Sequence, residues 1–191
     1  MFSIRKPSVE TVRRFFDRQK ALDFSYAEVG ASRETPPVGY DFDHHRVRLG
    51  EGQAVFRAAH AALWRWEMFN FPWVELYKPQ TPIAQGEVVA FLASGLGLWS
   101  LNACRIVYVL EQIDEVETRG FAYGTLPGHV ETGEERFSVQ WHHADDSVWY
   151  DLRAFSQPNH IFSRIGYRFV RRLQKRFAAD SMAAMARAVK H

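Results

Sequence analysis

The chain has 191 residues, one domain or at most one and a half at roughly 100–200 residues each. Hydrophobic residues make up 47% and charged residues 24%, which excludes a disordered, collagenous or low-complexity chain. A net charge of +2 is too mild to mark a nucleic-acid binder, and no nucleic-acid partner is expected.

Ser8, preceded by Pro7, reads as an N-cap; Val9, Val12 and Phe16 then share one face of a short helix ending near Lys20, with Arg13, Arg14 and Arg18 on the other face. The stretch after it, closed by Pro36-Pro37-Val38-Gly39, reads as a linker or surface loop. Tyr40 to Leu49 is strand-like, and Gly50-Glu51-Gly52 turns the chain into a helix from about Gln53 to Glu67. Val55, Phe56, Ala59, Ala62, Leu63 and Trp66 form its apolar stripe, while Trp64 points elsewhere and needs a second partner.

Strand signals follow at Trp73–Tyr77, Val88–Ser94, Arg105–Leu110 and Phe121–Leu126, then a Pro127-Gly128 turn. Glu135 to Trp141 and Val148 to Phe155 alternate apolar with polar residues on either side of an Asp145-Asp146-Ser147 hairpin turn. Val88 to Cys104 carries no formal charge and approaches the length of a membrane-spanning helix. Ser94, Gly95, Gly97, Ser100 and Asn102 interrupt it, so it reads as two buried strands meeting near Gly95–Gly97. The last element is a long helix from about His160 to Val189, striped by Phe162, Phe169, Val170, Leu173, Phe177, Ala184 and Ala188. Gly166 within that stripe points to a close approach there.

This order predicts an α+β fold in which seven strands form one antiparallel sheet and the long amphipathic helix covers its concave face. Aromatic residues reach 15%, enough for a core and an apolar cavity between sheet and helix. One cysteine, Cys104, excludes an internal disulfide and suits a reducing, cytoplasmic setting. Met1 to Pro7 is cationic without a following apolar run, so no secretory signal is expected.

Four stretches carry a resemblance to a known family: Phe24-Ser25-Tyr26-Ala27-Glu28-Val29-Gly30-Ala31-Ser32-Arg33, Leu98 to Val109, Gly120 to Phe137, and Arg172 to Ser181. On these the chain resembles the domain-of-unknown-function nineteen-ninety family. That family is similar in element order to the START-like helix-grip superfamily of polyketide cyclases, lipid-transfer domains and plant ligand-binding proteins. The resemblance implies a seven-stranded curved sheet gripping the C-terminal helix, and it carries over no catalytic residues. The expected organisation is a main domain over residues 39–191, with residues 1–38 as an N-terminal helix and loop packed on it.

Several residue groups could carry chemistry. Gly124 to Glu135 combines His129 with Glu131, Glu134 and Glu135. A histidine held by a carboxylate could serve as general base; the alternative is a solvated hairpin loop with acids at its rim. Glu135 shares phase with Phe137 and Val139, so it should face inward and either find a partner among Arg105, Tyr123 and Tyr150 or titrate high. A ligand cavity would thus draw hydroxyls from Tyr108, Tyr123 and Tyr150, with Arg105, His129 and Glu135 near its mouth and Phe169 on the helix. His142-His143-Ala144-Asp145-Asp146 and His44-His45 place adjacent histidines on opposite faces of a strand, so no metal is assigned. Rossmann, Walker A, zinc-protease and nucleophile-elbow patterns are missing, so no cofactor is assigned either. Arg164, Arg168, Arg171, Arg172, Lys175 and Arg176 follow one another with no acid between them, a face for anionic lipid headgroups or simply for solvent. The leading expectation is a protein binding a small, largely hydrophobic molecule or lipid. The alternatives are an enzyme of cyclase, aldol or hydrolase type with His129 or Glu135 moving protons, and a membrane- or nucleic-acid-binding surface on the basic helix face.

Overall fold

The structure, a computed structural model, describes residues 2–95, 97–159 and 167–190, and the side chains of all of these except 167–169. Its strands are β1 (Phe2–Ser3), β2 (Asp41–Glu51), β3 (Val74–Tyr77), β4 (Val88–Gly95), β5 (Leu98–Gln112), β6 (Val116–Thr125), β7 (Glu131–His142) and β8 (Ser147–Pro158). Its helices are α1 (Val9–Gln19), α2 (Gly52–Trp64) and α3 (Tyr167–Ala188). The strands pair antiparallel in the order β2-β8-β7-β6-β5-β4-β3, and the sheet curves around α3 in the helix-grip arrangement expected from the element order. The two-residue β1 was not foreseen; it lies beside the start of β5, with Phe2 opposite Ser100. The expected start of the last helix, with Phe162 and Gly166, lies outside the described residues.

The two faces of the sheet are covered by different parts of the chain. On the concave face, Phe56, Ala59, Ala62 and Leu63 of α2 and Ala184 and Met185 of α3 pack with Phe121, Phe137, Val139 and Leu152. On the convex face, Val12, Phe15 and Phe16 of α1 pack on Val88, Ala90, Leu92, Leu101 and Ala103. The uncharged run from Val88 to Cys104 is thereby explained: β4 and β5 form a hairpin that is buried on both sides, where a formal charge would go unsolvated. Among the described residues no helix is long and apolar enough to cross a membrane.

Two expectations need correction. The second helix ends at Trp64, not Glu67, because Trp66 adopts a positive φ of 62° and sinks into the core with its indole N–H on the Thr81 carbonyl at 2.9 Å. The Gly124–Glu135 stretch is mostly sheet, since β6 runs to Thr125, β7 starts at Glu131, and a short turn remains between them.

Residues 24–33 wrap across the convex face and close on one carboxylate, Glu134 of β7. It accepts hydrogen bonds from the Tyr26 hydroxyl at 2.6 Å, from the backbone N–H groups of Gly30 (2.8 Å) and Ser32 (3.0 Å), and from the Ser32 hydroxyl. Gly124 leaves room for this clasp: a Cβ there would stand 2.0 Å from the Tyr26 hydroxyl oxygen. Gly124→Ala is therefore expected to cost about 1–3 kcal/mol, as overpacking does. Tyr26→Phe should recover part of that loss in the double variant, a non-additivity that denaturant titration would measure.

Candidate ligand cavity

Between the inward face of the sheet and the first turns of α3 lies a cavity of about 660 Å³, inside the range of roughly 300–1,000 Å³ typical of small-molecule sites. Val170, Leu173 and Phe177 of α3 form one wall, and Phe91, Ala93 and Ala154 belong to the strands opposite. The stripe that faces the core farther along α3 faces this space here, because the apolar repeat of the helix continues past the point where α2 packs against it.

The polar lining of the cavity draws on several elements, among them Asp43 of β2, Asn102 of β5, Tyr123 of β6 and two carboxyls of β7. Glu131 and Glu135 are four residues apart on a strand and so share its inward face, while Glu134 between them borders the cavity but turns its carboxylate outward to residues 24–33. Tyr123, opposite Glu135 across the β6–β7 ladder, donates its hydroxyl to Glu135 Oε2 at 2.7 Å. Burial pushes the Glu135 carboxyl up to about 8; Glu131 and Asp43 add to this, and the Tyr123 bond opposes it. Burial likewise pushes Glu131 up to about 7, against the lowering effects of a hydrogen bond from Gln174 and the charge of Arg171. At neutral pH Glu135 is thus mainly a neutral acid, able to give a hydrogen bond or a proton to whatever occupies the space.

His129 also lines the cavity, but its partner is backbone. Its Nδ1 accepts the Glu131 N–H at 3.0 Å, and burial pushes the imidazole down to about 4. The expected histidine–carboxylate pair is therefore not formed; His129 stays neutral, with its Nε2 left to carry the proton.

A polar chain ties α3 to the sheet beside these groups. Arg171 binds both carboxylate oxygens of Asp43, with Nη2 to Oδ1 at 2.7 Å, and also donates to Gln174 Oε1 at 2.6 Å. Gln174 in turn donates to Glu131 and, at 2.8 Å, to the Ser156 hydroxyl.

Of the residues expected to meet a ligand, Tyr123, His129 and Glu135 line the cavity together. Arg105 and Tyr108 do not, which corrects the expectation for both. Arg105 stands on the convex face, bonded to the Lys20 carbonyl at 2.9 Å. A β-bulge between Ile106 and Tyr108 breaks the alternation of β5, so Tyr108 also turns outward, to the Ser32 hydroxyl at 2.7 Å and beneath the Arg33 guanidinium. Tyr150 faces inward but is sealed in the core at 0% exposure, its hydroxyl 2.8 Å from that of Ser181. The Phe169 side chain lies outside the described residues. Glu131, expected among the acids near His129 but not in the cavity, would have been placed there by extending the alternation of β7 back through Gly133; Gln174 was not expected at the site.

The basic face of α3 is less continuous than the sequence implies. Arg171 is committed to Asp43, and Arg176 pairs with Asp180 at 3.4 Å, whereas Arg172 and Lys175 are exposed. Arg164 and the side chain of Arg168 lie outside the described residues.

Comparison with known proteins identifies the family. A UPF0548 protein of Dictyostelium discoideum is 35% identical over a 207-residue alignment covering 99% of this chain and 96% of that protein. A UPF0548 protein of Deinococcus radiodurans is 37% identical over 202 residues, covering 98% of both. Among solved structures, human STARD10 is similar with a TM-score of 0.49 at 10% identity, over 97% of this chain and 80% of that one. The family profile described as "Domain of unknown function (DUF1990)" matches residues 25–184, and the chain belongs to that family.

Proposed function

We propose that the protein binds a small, largely apolar molecule between the sheet and α3. The observation that carries this reading is the cavity itself: about 660 Å³ of space, mostly walled by apolar side chains, in a fold that otherwise packs both sheet faces closely. An apolar hollow of this size with a few convergent polar groups is the usual form of a small-molecule site. Tyr123, His129 and Glu135 are the polar groups that would orient the occupant, and Glu131 and Gln174 join them from either side. Affinity would come from burial of apolar surface, at roughly 25 cal/mol per Å² before the costs of association.

The test is titration with N-phenyl-1-naphthylamine, a neutral apolar dye that brightens when it leaves water. Saturable binding is expected, and Ala93→Trp and Ala154→Trp, which fill the cavity from two different strands, should each weaken it at least about tenfold. If folded Trp variants take up the dye like the parent chain, the cavity is not the binding site and the reading fails.

A further inference from the structure

Resting on that reading, we propose that the cavity selects an apolar molecule bearing one basic nitrogen, seated as an ammonium group against Glu135.

The argument starts from two neighbouring carboxyls on one strand. Glu134, facing out, is surrounded by donors from the chain: one backbone N–H each from Gly30 and Ser32, and the hydroxyls of Tyr26 and Ser32. Glu135, facing in, accepts one hydrogen bond, from Tyr123, and among the described residues no ion pair neutralises it. Leaving a half-buried carboxyl on a mostly apolar wall with one donor is unfavourable unless something else completes its shell. The open side of Glu135 is the cavity.

The surrounding charges decide the sign of the missing group. Asp43 on β2 and Glu131 on β7 are the acids that act on Glu135, and Arg171 of α3 is already bound through both oxygens of Asp43. Tyr123, Tyr150 and Cys104, from β6, β8 and β5, are held neutral by burial, as is His129 in the turn. His45 lines the same space. Among the described residues, an anionic ligand would therefore meet acids of its own sign, and a neutral one would take at most a hydrogen bond from Glu135. An ammonium group would pair with the carboxylate that forms as Glu135 gives up its proton, while Phe91 and Phe177 take its hydrocarbon.

Proton linkage makes the proposal measurable. Seating a cation requires Glu135 to ionise, so binding below its raised titration range must release close to one proton. Affinity for the amine should then rise as pH rises from 6 to 8, approaching tenfold per unit at the acid end.

Isothermal titration with decylamine, decanol and decanoate below their micelle concentrations, in phosphate and in Tris, reads this directly. At pH 7 decylamine should bind at least about tenfold more tightly than decanol, and decanoate should be weakest. The two buffers should report release of about one proton with decylamine and none with decanol. Glu135→Gln, which keeps an acceptor for Tyr123, should abolish both the preference and the release. The pH profile of the parent chain tests the same point without any variant. Decanol or decanoate binding as tightly as decylamine would overturn the amine assignment while leaving the cavity as a binding site. Binding of none of the three, together with no uptake of the neutral dye, would overturn both.

Discussion

At pH 9 the Glu135→Gln variant should be more stable than the parent chain by at least about 1.4 kcal/mol, the worth of one pKa unit, and at pH 5 the two should agree closely. The sign follows from where the proton is held. In the folded chain the Glu135 carboxyl titrates at about 8, against an ordinary 4.5. Between these values the folded state holds a proton that the unfolded state has lost, so stability declines as pH climbs through that window. The contribution is complete below 4.5 and gone above 8. Glutamine cannot ionise and removes this dependence, while the milder effect of Glu131, raised to about 7, persists in both chains. Denaturant titrations at pH 5, 7 and 9 measure the difference. Parallel stability curves for parent and variant would show that the surroundings of Glu135 do not raise its titration.

Glu134→Ala is expected to destabilise the fold by about 3–5 kcal/mol, since several buried donors lose their acceptor at about 1–3 kcal/mol each. The side chain is 2% exposed. Its removal strands the Tyr26 hydroxyl and the backbone donors of Gly30 and Ser32, each an uncompensated buried group. For a chain of this size the melting temperature should fall by about 10 °C. Limited proteolysis should cut first within residues 24–33, the segment this carboxylate holds down. A loss under about 1 kcal/mol, or first cleavage elsewhere, would show that the segment is held by its apolar contacts instead.

Much of the fold was legible because its elements obey simple periods. The α2 stripe, the alternation of β7 and β8 and the charge-free β4–β5 hairpin each follow from the face that must be buried. The site was only partly legible for the same reason. Phase placed Glu135 inside correctly, as it shares a face with Phe137 and Val139. Phase failed for Tyr108, where the bulge adds a residue that alternation cannot anticipate. It was silent on Tyr150, which faces inward as expected but lies beneath Ser181 of α3 rather than beside the cavity. Pairings across long separations, such as Tyr26 with Glu134 or Asp43 with Arg171, depend on which surfaces meet after folding, and no local pattern encodes them.

Glu134 and Glu135 are chemically alike, adjacent, and committed to opposite sides of one strand. If β7 slid by a single position against its neighbours, every side chain on it would change sides. One acid would leave its saturated seat for the hollow, the other would press into a shell of donors shaped for a different backbone, and Phe137 would be turned out to the seam. The pair thus acts as a alignment mark: each glutamate tolerates its own side and is penalised on the other, so correct strand pairing is enforced by polar matching as well as by oil.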